Sequence, residues 1–511
     1  MVLVGSFEEL DDIFAEARGF GDSNYIHHQL HTSHERRLRK VADRLPVAGQ
    51  LLEALEMASA PVRYRAIGDP IVRCAIQHAF VQLETGARYG LTLDDCEDVL
   101  RAAVLHVRNG NSLPPLASGL TNVEYIGPEA YHGWVWTEHS PRNVFAEAFR
   151  YVIQREYGES LAAPESDQLA TLAKATDLLG VLLPKLSPSA LSHTHVIALF
   201  PSTGAWKGKG SSSQYRLSGV IFLNGGRLRN PWWAAEHLLH ESLHQKLYDF
   251  RAGHSLLQQD YFRSNAPKVS SLWNASTTSR TNRWDVDRVL AAFHVYVHLA
   301  FFCTVADSRT TDLEKFYGPK ASWPHMTETH QALVRAHYLG EKLRELCWAE
   351  LGPAGKSLAD WLASILEVYD PAPPPAGSYV HLLLDLYRRQ AETVESAVST
   401  RHRPVPAEFL NQLAALSMDE ADRIRQILLA LRAETKLREF ESALVKHSGK
   451  APGAAFPQVR RLILDTLQDV SPDGYRLPIP PSSPEDPNRI VRQMVESSSR
   501  RLDEILLDGK T

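Results

Sequence analysis

The stretch HESLH at residues 240–244 is the place where residue types and spacing point most directly to chemistry. It is an instance of the pattern H-E-x-x-H. His240 and His244 are four residues apart, so on a helix both imidazoles lie on one face and can bind one metal ion. Glu241 then lies beside that ion. The pattern predicts a metal-dependent enzyme and leaves the metal and the reaction open.

The residues before the motif predict the elements that must position it. Residues 218–224, SGVIFLN, are typical of a buried strand. Asn230-Pro231 is a good helix start, and the pattern predicts a helix from Trp232 to about Tyr248.

This helix carries an apolar stripe, Leu239, Leu243 and Leu247. His240 and His244 lie one residue around from the stripe, where a helix passes from buried to exposed, and His237 shares their face. The alternative interpretation is a half-buried helix whose histidines have no function.

A second pair of histidines lies in a segment that predicts a buried helix. Residues from Val286 to Ala306 are apolar nearly all round, and His294 and His298 are set into them four residues apart. A buried imidazole needs a hydrogen-bond partner or a metal, because an unpaired buried polar group costs a few kcal/mol. The two residues are therefore candidates for a metal ligand and a partner that supports it.

Zinc-dependent peptide hydrolysis is the first reaction to test, with Glu241 as the general base. The metzincin extension requires Gly and His at positions that hold Leu247 and Phe250 here, and the gluzincin pattern requires a downstream glutamate, which is absent up to Glu314. A third ligand could still come from one of the buried histidines or from an aspartate: Asp249, Asp260, Asp285 or Asp287.

Two further features have simpler interpretations. The segment 207–213, KGKGSSS, could form a lid or hold an anion, but a plain hairpin loop is favoured. The early histidines are best explained as a solvated helix edge, since no acid or base companion is placed with them: His27, His28, His31 and His34.

The flanks of the motif region are helical in pattern. Before it, periodicity predicts helices over Arg36–Ala58, Pro70–Thr85, Leu93–Val107, Pro141–Tyr157 and Asp167–Leu183. After it, the pattern predicts helices over Lys356–Val368, Tyr379–Ser399, Met418–Lys446 and Arg489–Leu507. A second short strand is predicted at 195–200. We therefore expect a mainly α fold with a small β element (α+β), not a double-stranded β-helix. Its regions are a helical N-terminal part (1–190), a metal-binding core (191–350) and a helical C-terminal part (351–511).

Composition narrows the function classes. The net charge of −5 over 511 residues gives no indication of a nucleic-acid groove or of binding to an anionic membrane. The sequence predicts no transmembrane helix, and Met1 to Glu9 has no basic region typical of a secretion signal. We expect a cytoplasmic protein. Its apolar helices are compatible with a homodimer.

The block from Ser218 to Leu247, with HLLHESLHQKL, resembles the HExxH-motif family of peptide-modification proteins. The Trp/Arg segment RWDVDR at 283–288 and the apolar helix with His294 belong to the same resemblance, which covers roughly residues 190–305. Some members of that family are iron(II)- and 2-oxoglutarate-dependent β-hydroxylases of peptide side chains. Members often have Arg-Pro-Leu where this chain has Arg288-Val289-Leu290, and Gly where it has Val295.

The resemblance implies an iron ion held by His240, His244 and His294, with His298 as the alternative to His294 and His237 as a neighbouring or alternative ligand. Three nitrogen ligands on one face of iron leave positions for 2-oxoglutarate and dioxygen. Glu241 would then hydrogen-bond a ligand or water. The distal carboxylate of 2-oxoglutarate needs a cation, for which Arg288 and Arg283 are the nearest candidates in sequence.

Three hypotheses follow from these patterns. The first is an oxygenase that uses iron(II), 2-oxoglutarate and O2 to hydroxylate the β-carbon of an amino-acid residue in a peptide, or of a related amino acid. The second is a zinc metallopeptidase in which Glu241 is the base. The third is a helical interaction protein in which HESLH has arisen by chance, and it predicts that no metal binds.

Overall fold

The computed structural model describes residues 6–508 except for 18, 88–89, 119–124, 127–132, 138–142, 207–208, 260, 262, 264, 274–282, 321–325, 371–382, 384–386, 388–389, 391–393, 395–405, 449–451, 471–476 and 478–485. The structure is 74% helical with 6% strand, which confirms a mainly α fold with a small β element. The described residues form no double-stranded β-helix. The helix predicted at Tyr379–Ser399 lies largely outside the described residues.

The helices of the described residues, in chain order, are α1 (Phe7–Glu16), α2 (Ser23–Val41), α3 (Pro46–Met57), α4 (Ala60–Gly68), α5 (Pro70–Thr85), α6 (Leu93–Arg108), α7 (Val144–Tyr157), α8 (Ser166–Leu182), α9 (Leu186–Leu191), α10 (Pro231–Gly253), α11 (Val286–Tyr317), α12 (Thr329–Lys342), α13 (Pro353–Tyr369), α14 (Ala407–Ala430), α15 (Glu434–Ser448), α16 (Pro452–Asp469) and α17 (Pro487–Asp508). The strands are β1 (Tyr125–Ile126), β2 (Gly133–Val135), β3 (Val196–Phe200), β4 (Ser211–Ser212), β5 (Val220–Asn224), β6 (Val269–Ser270) and β7 (Arg283–Trp284).

The larger sheet has the strand order β1-β2-β3-β5-β4. Its three central strands, β2, β3 and β5, are parallel, and β1 and β4 each run antiparallel to their neighbour. Every residue of β3 and β5 is buried. This burial fits their continuous apolar sequences, because a parallel strand is usually covered on both faces. A separate hairpin pairs β6 with β7.

The chain forms two compact units. Unit 1 comprises Met1–Leu256, His294–Ala332 and Pro353–Leu358, and unit 2 comprises Leu257–Phe293, Leu333–Gly352 and Ala359–Thr511. In unit 1, apolar side chains of α2–α7 pack with those of β3 and β5 in one core. The motif helix α10 packs against α2, α8, α9 and β5, so the sheet and three helices hold it in place.

In unit 2, α14 packs against α15, α16 and α17 around an apolar core. A buried ion pair joins Arg460 Nη2 to Glu420 Oε1 at 2.6 Å, and the hydroxyl of Tyr387 donates to Glu420 Oε2 at 2.6 Å. The Arg460 guanidinium also lies over the Tyr387 ring, 3.8 Å from its centroid. All the charged and polar groups of this cluster are therefore paired within the core.

Two predicted helices are broken in the structure. The helix expected at Arg36–Ala58 ends at Val41 and a new one begins at Pro46, because proline lacks the N–H that a helix interior needs and fits at a first turn. The helix expected at Met418–Lys446 is divided near Arg432, whose φ of 56° is left-handed and cannot continue a helix.

The apolar helix α11 passes a length and composition test for a membrane span. Its most apolar 18-residue window is 83% buried inside the protein. Such burial is typical of a core helix, so the test is weak evidence for a membrane span.

Candidate metal centre

The motif helix begins as the sequence predicts. Asn230 Oδ1 accepts hydrogen bonds from the N–H groups of Trp232 and Trp233 at 2.8 and 3.3 Å, and Pro231 occupies the first turn. The helix continues past Tyr248 to Gly253, and the predicted leucine stripe is buried. This packing leaves the two motif histidines at the boundary between buried and exposed surface, as predicted.

The spacing of His240 and His244 fits a shared metal ion. Their ring centroids are 5.0 Å apart, with planes inclined at 65°. Two imidazoles bound to one ion through bonds of about 2.1 Å have centroids about 4.5 Å apart at a right angle and about 5.2 Å apart at a tetrahedral angle. The observed distance lies between these values. The His240 side chain is 28% exposed, and its partial burial lowers its pKa, which favours the neutral form that binds metal.

Glu241 is held by the edge strand β4. Its carboxylate is buried, and Oε1 accepts a hydrogen bond from the Ser211 hydroxyl at 2.6 Å. Oε2 is buried and has no hydrogen-bond partner among the described residues. Glu241 Oε1 also lies 4.0 Å from His240 Nε2. One carboxylate oxygen is therefore fixed, and the other remains available to a water molecule or a ligand near the motif.

His294 is the strongest candidate for a third ligand. It is 3% exposed, and its Nδ1 has no hydrogen-bond partner among the described residues. Burial lowers its pKa well below the usual range, and the neighbouring groups His298, Lys246 and His244 act in the same direction. The ligand atoms of His240, His244 and His294 do not all lie within 4.8 Å of one another; among the described residues, the group His27, His193 and Asp249 meets that distance.

His298 and His237 are both engaged by backbone carbonyls. His298 Nδ1 donates to the carbonyl of His294 at 2.7 Å, and its ring packs on Phe14 with centroids 4.3 Å apart. His237 Nδ1 donates to the carbonyl of Trp233 at 3.0 Å, and its ring stacks on that indole. These contacts fix the two rings and give them supporting positions beside the candidate ligands.

The aspartates considered as third ligands have other partners. Asp249 is paired with Arg73 and His193, Asp285 with Lys268, and Asp287 accepts from the Tyr261 hydroxyl. Asp260 lies outside the described residues. These carboxylates are therefore engaged by other groups, whereas His294 Nδ1 has no hydrogen-bond partner among the described residues.

The arginines nominated for the cosubstrate, Arg283 and Arg288, belong to unit 2. Both are exposed, and the Arg288 guanidinium lies over the Trp284 ring, 4.6 Å from its centroid. Their proposed role in binding a carboxylate stays a prediction.

A second polar cluster lies in unit 1, behind the motif face of α10. One potential ligand atom each from His27, His193 and Asp249 lies within 4.8 Å of the others, so this group could hold a metal ion. Arg73 already donates to both carboxylate oxygens of Asp249, at 2.7 and 3.4 Å, and His193 Nδ1 to Oδ2 at 2.8 Å. A guanidinium in direct contact with the carboxylate repels a second cation, so we assign this cluster to the scaffold.

The buried network extends further than the sequence indicated. His193 Nε2 lies 3.1 Å from Ser23 Oγ, and Lys246 Nζ donates to the carbonyl of Gly21 and to Ser189 Oγ, at 2.5 and 2.8 Å. The sequence did contain one indication of a buried polar network, because Lys246 falls on the buried side of an amphipathic helix. Its partners come from distant segments and could not be inferred.

Two sequence interpretations need correction. His27 and His34 are 8% and 4% exposed, so they do not belong to a solvated helix edge. They face the core because α2 packs against α10. In the segment 207–213, interpreted as a plain loop, Ser211 and Ser212 form β4 and pair with β5, which places Ser211 against Glu241.

Comparison with known proteins does not assign the chain to a family. No protein-family model matches the chain, and no curated protein matches it. Function must therefore be argued from the site.

Proposed function

We propose that the protein is an iron(II)- and 2-oxoglutarate-dependent oxygenase that hydroxylates a C–H group, at the β-carbon of a residue in a peptide or of a related amino acid. The observation that carries the proposal is the pairing of His240 and His244 on one face of α10, with the ring spacing of two ligands to one ion. His294 is proposed as the third ligand because it is buried and its Nδ1 lacks a hydrogen-bond partner among the described residues.

The donor set fits the proposed metal. Three neutral imidazoles suit iron(II), and a ligand set confined to one face leaves room for a cosubstrate. When bound, the iron would supply activation of dioxygen, coupled to oxidation of 2-oxoglutarate. The resemblance to HExxH peptide-modification proteins favours this chemistry over the other reactions of imidazole-bound metals.

The residues around the motif would orient the site. The Ser211 hydroxyl fixes one oxygen of Glu241, so the other oxygen is positioned to accept a hydrogen bond from a water molecule or a ligand. The rings of His298 and His237 are each fixed by a backbone carbonyl. Side chains that are already oriented lose less conformational entropy when the metal binds.

The edge strand β4 supports a peptide substrate. It ends the described sheet, and one of its two residues contacts Glu241. An extended peptide can pair with such an edge through backbone hydrogen bonds and would then pass beside the motif. A peptide bound in this way would present alternate side chains toward the metal centre.

A zinc peptidase is the second candidate, and the geometry of Glu241 favours it specifically. A buried carboxylate beside a motif histidine, with one oxygen that lacks a hydrogen-bond partner among the described residues, matches the general base that activates a metal-bound water. This candidate would use the same three histidines, with zinc in place of iron.

Metal analysis and turnover of protein purified without oxygen test the proposal. We expect about one iron per chain after reconstitution, succinate formation from 2-oxoglutarate, and a peptide product heavier by one oxygen atom. His240→Ala, His244→Ala and His294→Ala should each lose metal and turnover. His330→Ala is the matched control, since this histidine is exposed and lies outside the motif, and it should retain metal.

Other outcomes would redirect the proposal. Bound zinc, peptide fragments as products and inhibition by hydroxamates would replace it with the peptidase. Unchanged metal content in His240→Ala would contradict both enzyme functions.

A further inference from the structure

A cavity of about 310 Å³ lies in unit 1 between α2, α5 and the C-terminal half of α10. Arg37, Arg73 and His34 contribute polar groups to its wall, and Tyr215 and Tyr248 contribute aromatic surface. Its size is at the lower end of the range of small-molecule sites, about 300–1,000 Å³.

Arg37 is the unusual member of this wall. Its partial burial lowers the pKa of the guanidinium, with Tyr215 acting in the opposite direction, yet it forms no ion pair or hydrogen bond with any described residue. Arg73, a buried arginine of the same wall, is neutralised by Asp249. A partly buried cation without an anion is costly, so an anion from outside the protein would be bound favourably.

His34 provides an independent indication of a ligand. It is 4% exposed, it lines the cavity, and its Nδ1 has no hydrogen-bond partner among the described residues. Burial and the nearby charge of Arg37 hold its pKa well below the usual range, so the ring is neutral and can donate one hydrogen bond. Arg37 and His34 are three residues apart on α2 and therefore share a face.

The remaining residues of the wall indicate which uncharged part of a ligand the cavity can hold. Leu30 and Val81 are apolar, and the two tyrosines add flat surface, while Gln77, Arg216, Ser218 and the Arg73-paired Asp249 add polar groups. Tyr248 also stacks on His244, with centroids 6.1 Å apart, so the cavity adjoins the motif helix one turn beyond His244. Aromatic surface beside a guanidinium suits a planar organic acid rather than a bare inorganic anion.

We propose that this cavity binds a small carboxylic acid with an aromatic body, with Arg37 pairing its carboxylate, His34 donating a hydrogen bond, and Tyr215 and Tyr248 covering the ring. The site does not depend on the metal chemistry proposed for His240, His244 and His294.

Phenylacetate and its neutral isostere phenylacetamide are suitable probes, with binding to the full chain measured by calorimetry. We expect phenylacetate to bind and phenylacetamide to bind at least tenfold more weakly, because a charge-assisted hydrogen bond is lost. Inorganic phosphate should bind more weakly than phenylacetate, because it cannot use the aromatic wall.

Arg37→Gln should weaken phenylacetate binding about 10- to 100-fold. The matched control is Arg36→Gln, which removes the exposed neighbouring charge on the same helix and should leave binding unchanged. Ala252→Leu keeps every charge but fills the cavity that Ala252 lines, and it should also abolish binding. This second variant keeps the test decisive if Arg37→Gln does not fold.

Three results would overturn the proposal. They are equal binding of phenylacetate and phenylacetamide, unchanged affinity in folded Arg37→Gln or Ala252→Leu, and phosphate binding as tight as phenylacetate binding. Loss of metal in the histidine variants would bear only on the proposed oxygenase, so failure of the two proposals can be told apart.

Discussion

Replacing Asp249 with asparagine should destabilise unit 1 while leaving metal binding intact. The carboxylate and Arg73 have 1% and 3% exposed side chains and are joined at 2.7 Å, with a second contact at 3.4 Å. Asparagine keeps the shape and can still accept from His193, but it leaves the guanidinium as an uncompensated buried charge. Removing one partner of a buried pair costs about 3–5 kcal/mol of unfolding free energy.

An exposed pair of the same residue types gives a matched control. Arg101 Nη1 lies 3.1 Å from Asp98 Oδ1 on the surface of α6, with side chains that are 57% and 63% exposed. Solvent screens such a pair, so Asp98→Asn should cost less than about 1 kcal/mol. The same chemical change should therefore cost several times more unfolding free energy at Asp249 than at Asp98.

Scanning calorimetry measures this difference. With about 2 °C of Tm lost per kcal/mol in a large domain, Asp249→Asn should lower Tm by about 6–10 °C. The double variant Arg73→Met/Asp249→Asn removes the orphaned charge and should recover most of the loss. Equal Tm values for Asp249→Asn and Asp98→Asn would refute the argument that this pair is a buried scaffold element.

Metal content on the same samples separates the two histidine clusters. If the metal is held by His240, His244 and His294, folded Asp249→Asn should bind as much iron as the wild type. Loss of metal from folded Asp249→Asn would instead assign it to His27, His193 and Asp249, and the proposed centre would be wrong.

Three further predictions concern other parts of the molecule. The Nδ1 atom of His78 accepts a hydrogen bond from the N–H of Leu91. Burial, aided by the charge of Arg155, lowers the pKa of His78 to about 4. The neutral ring therefore contributes stability that is fully present above pH 6.5 and is lost as the pH falls toward 4. His78→Asn is the comparison, because its amide oxygen can still accept the hydrogen bond but does not titrate. Between pH 7 and pH 5, the unfolding free energy of the wild type, measured with urea, should fall by about 2 kcal/mol more than that of His78→Asn. The same pH dependence in both proteins would contradict this linkage. Glu241→Gln should retain metal and lower oxygenase turnover less than about tenfold, whereas a peptidase should lose about 10²–10⁴-fold in kcat. In unit 2, Glu420→Gln should leave Arg460 uncompensated and cost about 3–5 kcal/mol, measured as faster hydrogen exchange of α14 and α16; unchanged exchange would show that the pair is not needed.

Much of the local structure could be predicted from the sequence. The strand before the motif, the start of α10 at Asn230-Pro231 and its leucine stripe follow from apolar periodicity and capping, which act over a few residues. The boundary position of His240 and His244 followed from the same stripe. The helix breaks at Pro46 and Arg432 were not predicted from periodicity, because the apolar pattern continues across both positions although the backbone cannot continue as a helix there.

The sequence by itself determined that the chain is mainly helical, that HESLH lies on one helix face, and that His294 and His298 are buried. Only the tertiary structure decided which of these groups meet. Ser211 fixes Glu241, and Asp249 is paired with Arg73 from 176 positions away. The physical reason is that residue spacing fixes which side chains share a face, whereas partners across the fold depend on how helices and strands pack, and that packing is set by the whole core.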